Sequence, residues 1–339
     1  PDPHHQSSSY STGISEEKVY EIAKREMSSS VDKSSVRHSL YAVDEFAPST
    51  IHCLMMAINI RFSDRSEYEK LAESLEKLAL RIFAIGGARR DTKRGDFEAL
   101  SRVLFWEGRD DLLEVYPEGS RIPTSVGNAS SKYSIEGKKE DWKVVRDLVE
   151  KWAYDYSHEE RNGEEVDVFK QRLMNDSLDG LGVAGWGGIS TDEVKNYALY
   201  RYEAEIRSGG AELPKYLQAG IHDYTVEHVW PSSTPSSELP SNLDEDEYAR
   251  NVERIGNLAF LSLSENSSAR NADYETKWRR AYQSAAHGTK MVRDEFPDPT
   301  GERANKASDE GFESWSQDII DWRSERMADV LATCWGVSD

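Results

Sequence analysis

The sequence predicts a mainly α-helical protein that carries one small strand–strand–helix unit, packed with helices, towards its C-terminal end. Three stretches point to this. Residues 67–85 place Tyr68, Leu71, Leu75, Leu78, Ile82 and Phe83 at helical spacing, the clearest of several such stretches. In DYTVEHVW (223–230), Tyr224 and Val226 alternate with Thr225 as in a strand, and the run stops at Pro231, which cannot donate to a ladder. RIGNLAFLSL (254–263) is a second strand, rich in Ile, Leu and Phe and introduced by a glycine, and SENSSARN (264–271) opens helical structure behind it.

In chain order, residues 1–14 are small, polar and without period, which predicts a disordered tail; with no initiating Met, Pro1 is not expected to be the natural start. Ser15 caps EEKVYEIAKREM, whose Val19, Ile22, Ala23 and Met27 share a face. Pro48 leads into an apolar helix around Ile51–Phe62, and the Glu67–Ile85 helix stops at Gly86-Gly87. Asp96–Trp106 and Trp142–Trp152 predict two more helices, with residues 121–140 as loop between them. Residues 157–165, SHEERNGEE, are expected as a charged linker. The glycine-rich 180–188 lacks the GKS or GKT ending of a phosphate loop and is expected as a tight connection. Thr191 caps a helix through Arg207, which leads by Gly209-Gly210 to the first strand. Past the second strand, Ser264 is the expected N-cap; Asn271 is expected to cap ADYETKWRRAYQS, with acids early and bases late. Residues 314–335 are expected as a closing helix. The implied division is a tail (1–14), a helical domain (15–208) and a second domain (209–339).

Composition limits the function classes. A chain of 339 residues with 37% hydrophobic content and nine Trp can bury one or two cores. No apolar run reaches eighteen residues, IHCLMMAINI falls far short, and no secretory apolar region stands at the start, so a membrane role is not expected. Two cysteines, Cys53 and Cys334, cannot make a four-cysteine zinc site and suggest no disulfide framework, which fits a reducing cytoplasm. The net charge of −20 opposes nucleic-acid binding, which draws on Lys and Arg. The distribution is uneven, however: between Tyr248 and Arg293 eight bases stand against four acids, a local net of +4.

The most specific feature is an ordered set: Glu227-His228 with Pro231, Ile255 to Leu258 (IGNL), Asn266, Asn271, Tyr274, Lys277, Tyr282 and Ser284. Together they resemble the HNH (His-Me finger, ββα-metal) nucleases, and more narrowly the C-terminal nuclease domain of the GmrSD family of modification-dependent restriction endonucleases. The resemblance covers residues 190–336 well and 15–189 loosely. The family's other half, a nucleotide-binding sensor domain with a D-G-Q-Q-R motif, has no counterpart here. The resemblance thus implies the nuclease half alone, working with an N-terminal sensor or NTPase domain or a separate partner protein.

What the resemblance implies is a metal-dependent DNA endonuclease of prokaryotic restriction and anti-phage defence, leaving 5′-phosphate and 3′-hydroxyl ends. A phosphodiester needs a base for the attacking water and a hard cation against the scissile phosphate. His228 suits the base. Glu227 and Asn266 offer oxygen ligands for Mg2+ or Mn2+. Asn257, the second catalytic-motif residue, is expected to hold the hairpin and the base-bearing loop by hydrogen bonds. The family commonly has Asp where Glu227 stands, and the HNH pattern often has His where Asn266 stands; both departures keep an oxygen donor and disfavour zinc. Arg270, Lys277 and Arg280 are the candidate phosphate contacts. For Glu227 and His228 to face one ion the strand must break between them, because neighbours on a regular strand point oppositely. The competing reading is a catalytically silent nucleic-acid-binding or partner-docking module.

Overall fold

The computed structural model describes residues 37–62, 64–106, 132–134, 138, 141–175, 191–207, 224–233 and 243–337. The expected tail, the helix capped by Ser15, most of the 121–140 loop and the 180–188 glycine stretch lie outside these residues. The described chain is mainly helical, with four short strands, and none of its helices is long and apolar enough to cross a membrane.

The N-terminal half packs the helices Arg37–Phe46, Thr50–Arg61, Arg65–Leu78, Arg94–Trp106 and Trp142–Ser157. The predicted Glu67–Ile85 helix begins two residues earlier, because the Asp64 side chain accepts from the backbone N–H groups of Ser66 and Glu67. Its last part, Ala79–Ala84, widens to a π-helix. Gly86 ends it where a Cβ would lie 2.0 Å from Arg81 O, and Gly87 follows with φ +67°. Leu71, Leu75, Leu78, Ile82 and Phe83 are all buried, as their spacing implied.

The expected charged linker at 157–165 is instead a β-hairpin. Strand β1 (His158–Arg161) pairs antiparallel with β2 (Glu164–Asp167). Asn162 and Gly163 between them take φ +56° and +81°. Two successive left-handed residues match the twist of the flanking strands, and Asn-Gly is the dipeptide that adopts them at least cost.

The Thr191–Ile206 helix packs on a second hairpin and on the closing helix. In that hairpin β3 (Tyr224–His228) pairs antiparallel with β4 (Leu258–Ser262), in register from Tyr224↔Ser262 to His228↔Leu258. Their connection contains a helix, Glu245–Val252, closed by an Asp244/Glu247 capping box. Behind β4, Ser262 rather than the expected Ser264 caps the Leu263–Ala269 helix, in a reciprocal box with Glu265. Asp273, not Asn271, caps Tyr274–Lys277, which continues through the π-turn Trp278–Tyr282 into Gln283–Gly288.

The closing helix, Gln317–Cys334, reaches back into the N-terminal half. Trp335 Nε1 donates to Glu76 Oε1 at 2.8 Å, and Trp335 O accepts from Arg81 Nε at 2.7 Å. Glu76 is buried and also accepts from Ser39 and Tyr197, while Arg81 pairs with Asp167 at the end of β2. Hydrogen bonds to charged groups in the interior are the stronger kind. They fix the end of the chain against helices well upstream of residue 208.

Candidate active site

Strand β3 stays regular through His228, which pairs with Leu258 as Glu227 pairs with Ala259. The break that would turn both side chains to one ion does not occur. The two residues therefore serve different faces of the strand.

One face holds Glu227. Its side chain is buried, and Oε1 lies 2.7 Å from Lys277 Nζ and accepts from Tyr282 Oη at 2.9 Å. Asn266, on the helix behind β4, reaches the same face: its Nδ2 donates to Thr225 Oγ1 at 2.6 Å and to Val226 O at 3.0 Å. Thr225 stands two residues from Glu227 and so shares its side of the strand. The structure thus brings Glu227, Lys277 and Tyr282 together, with Asn266 beside Thr225 two residues away.

Lys277 corrects an expectation. It is 1% exposed, and its ammonium is spent on Glu227 and on the carbonyls of His228 and Val229. No proton of that group remains for a phosphate. Burial pulls its pKa below the ordinary lysine value, against the opposing pull of Glu227. Burial and the neighbouring carboxylate push the Tyr282 hydroxyl well up, so Tyr282 remains a proton donor to Glu227.

The other face holds His228, about a quarter exposed. Its Nε2 lies 3.1 Å from Glu253 Oε2, and the same oxygen receives the buried Lys195 Nζ at 2.6 Å. Burial raises the Glu253 pKa, but hydrogen bonds from His228 and Lys195 more than offset this and hold it down to about 2. Neither Glu253 nor Lys195 was expected in the site. Glu253 stands two residues before Ile255, where the expected strand instead begins with a 3-10 turn (Ile255–Asn257) and β4 starts only at Leu258, and in the sequence it reads as one acid among bases; Lys195 lies on the helix before β3. No spacing rule links the three, because the tertiary fold alone brings them together.

Asn257 joins the pieces. It is fully buried. Its Oδ1 accepts from Trp230 N at 2.9 Å and from Trp315 Nε1 at 3.0 Å. Its Nδ2 donates to Val252 O at 2.9 Å and Trp230 O at 3.2 Å. Two acceptor and two donor positions exhaust an amide, so Asn257 has nothing left for a metal or substrate and acts by position. The preceding Gly256 is required by close packing: a Cβ there would lie 2.1 Å from Ile320 O and 2.5 Å from Ser324 Oγ of the closing helix. Arg323 of that helix, fully buried, donates to Gly256 O and Leu258 O and faces Glu295.

Arg270 and Arg280 lie exposed on the surface. Arg270 ends the Leu263–Ala269 helix at φ +51° and donates to Ser267 O. Among the described residues no cluster of three His, Cys, Asp or Glu side chains could hold a metal. The oxygen chemistry nevertheless fits a hard cation. Glu227 is anchored through Oε1 and Asn266 through Nδ2, so Glu227 Oε2 and Asn266 Oδ1 are the oxygens left to serve as donors. Mg2+ commonly takes one or two protein oxygens and completes its shell with water and phosphate.

Residues 188–330 match the family model described as GmrSD restriction endonucleases, C-terminal domain. Over that segment, which contains Lys195, Glu227, His228, Glu253, Asn257 and Asn266, the chain is similar to those domains. Comparisons with curated proteins and with solved structures give no match.

Proposed function

We propose, from the match of residues 188–330 to the C-terminal domain of the GmrSD restriction endonucleases, that this protein is a divalent-metal-dependent DNA endonuclease of the HNH type. It acts in prokaryotic restriction and anti-phage defence, as the nuclease half of a sensor–nuclease system with an N-terminal sensor or NTPase domain or a separate partner. The match is the observation that carries this reading. The order β3, β4, Leu263–Ala269 helix supports it, since a ββα-metal motif needs that order and the chain places His228 and Asn266 within it.

In this reading DNA lies over the end of β3, where the strand stops at His228. His228 takes the proton of the attacking water. Glu227 and Asn266 would hold Mg2+ or Mn2+, which when bound offsets charge on the scissile phosphate and the leaving oxygen; because Glu227 stands on the face of β3 opposite His228, the two act on one phosphate in this reading only if the strand end turns at His228 when metal and DNA bind. Asn257 fixes the segment after β3 relative to β4. Arg270 and Arg280 meet the DNA phosphates.

Supercoiled plasmid incubated with the whole chain tests this. Relaxed or linear product should form with Mg2+ or Mn2+, should not form with a chelator, and should be lost in a folded His228→Ala variant. Cleavage by His228→Ala at the wild-type rate, or none by the wild type with either metal, overturns the reading.

A further inference from the structure

We propose that Glu253, held by Lys195, is the residue that positions the His228 imidazole for the hydrolysis proposed above, fixing the proton on Nε2 and leaving Nδ1 as the base. The inference rests on the nuclease reading and adds two residues to it.

His228 Nε2 stands 3.1 Å from Glu253 Oε2, and Lys195 Nζ stands 2.6 Å from that oxygen. A carboxylate so placed accepts only, so a neutral imidazole facing it must present Nε2–H. The Nδ1 lone pair is then the basic one, and among the described residues no hydrogen bond occupies it. Glu253 sits at the C-terminal end of the Glu245–Val252 helix, and Asn257 Nδ2 binds that helix's last carbonyl, Val252 O, at 2.9 Å. The carboxylate is thus anchored by the same amide that anchors the segment after β3. Lys195, 3% exposed, supplies a fixed positive charge against it. Glu253 accordingly stays ionised, as its pKa of about 2 implies, and does not take the histidine proton for itself.

Water gives a proton to His228 Nδ1, and its oxygen forms the new P–O bond as the bond from phosphorus to O3′ breaks. The released 3′-oxygen takes a proton from solvent, giving one 3′-hydroxyl and one 5′-phosphate end. The imidazolium then carries N–H on both nitrogens, and the one facing Glu253 is paired with a full negative charge. The positioning carboxylate therefore binds the protonated ring more strongly than the neutral one, which favours the proton transfer.

The test compares the whole chain with Glu253→Ala, Glu253→Gln and Glu253→Asp, after thermal melts select the variants that fold. Histidine labelled with 15N reports the ring protons without metal or DNA, and His228→Ala assigns the resonance. We expect a protected Nε2–H signal for His228 in the wild type and its loss in Glu253→Ala and Glu253→Gln. In plasmid cleavage kcat should fall at least about tenfold in both variants with KM for DNA nearly unchanged, and Glu253→Asp should recover part of it. A proton on Nδ1 in the wild type, or Glu253→Ala and Glu253→Gln with wild-type kcat, overturns the proposal. Absence of cleavage by the wild type in any metal sinks the nuclease reading instead, and the ring signal still decides whether Glu253 sets the tautomer.

Discussion

Glu227 Oε1 lies 2.7 Å from Lys277 Nζ in the interior beneath β3, and Tyr282 Oη donates to the same oxygen at 2.9 Å. A strand residue and a helix residue fifty positions later are thereby locked together. Lys277 also donates to the carbonyls of His228 and Val229, the points where β3 ends. The helix thus holds the strand end that carries the histidine, and Lys277 acts on the site from within.

Lys277→Met should therefore lower stability, not merely DNA affinity. Removing one partner of a buried pair leaves the other charge uncompensated, at a cost of about 3–5 kcal/mol. Replacing both partners, as in Glu227→Gln with Lys277→Met, should cost less than the sum of the single changes. Urea denaturation of the three variants measures this. A Lys277→Met midpoint equal to the wild type would show that the pair contributes nothing.

Asn257→Ala should destabilise the region joining β3, β4 and the closing helix. It strands the indole N–H of Trp315 and the amide of Trp230, both paired now with Oδ1. Each buried donor left unmade costs about 1–3 kcal/mol. Hydrogen exchange at Trp230 N–H should accelerate in the variant, and thermal melts should shift down. Unchanged protection at Trp230 would mean the amide is not what holds this segment.

Much of this was legible beforehand, and the reason differs by element. Long helices showed because one face repeats over many residues, so Leu71, Leu75 and Leu78 declared their burial. The order strand, strand, helix showed because its parts lie within a single segment, and His228, Asn257 and Asn266 were singled out there as candidates because they stand at the fixed spacing of a motif. The β1–β2 hairpin was missed although Asn162-Gly163 marked it: its four-residue strands, HEER and EEVD, lack the apolar alternation that flags a strand. Capping positions slipped by two residues because Ser262 and Ser264, or Asn271 and Asp273, are equally good caps in isolation, and the strand end or the preceding turn chooses between them. The fates of Lys277, Glu253 and Lys195 could not be read at all. Whether a lysine meets phosphate or a buried carboxylate depends on which residue folds against it, and that partner is distant in sequence.

Acid should weaken the wild type more than a Glu253→Gln variant. Glu253 is held down to about 2, against 4.5 for an unperturbed glutamate. A depressed carboxylate stabilises the fold fully above its unfolded pKa and loses that contribution as pH falls through the folded one. The stability gap between wild type and Glu253→Gln should thus close as pH falls from about 4.5 to about 2. The charged groups facing it are Lys195 and His228. Urea midpoints at pH 6, 4 and 2.5 measure the gap, and a gap that stays constant across this range would remove the ionised Glu253 from the stability of the site.

DNA binding by this chain should be weak, indifferent to sequence and steeply dependent on salt. The net charge of −20 repels DNA, and the bases free to meet it are surface groups such as Arg270 and Arg280. Such contacts release counterions, so each one adds about 0.9 to the slope of log affinity against log salt and carries no base information. Reversing Arg270 and Arg280 to Glu should therefore lower affinity about equally on any duplex, and flatten the slope by about 2. Lys277→Met, once corrected for its lower stability, should leave the slope unchanged, because its ammonium already belongs to Glu227. Gel-shift titrations at two salt concentrations, on plain and on modified DNA, separate these cases. A flattened slope in a folded Lys277→Met variant would mean that the buried pair opens when DNA binds. A preference for modified DNA would place base recognition in the helices that precede β3.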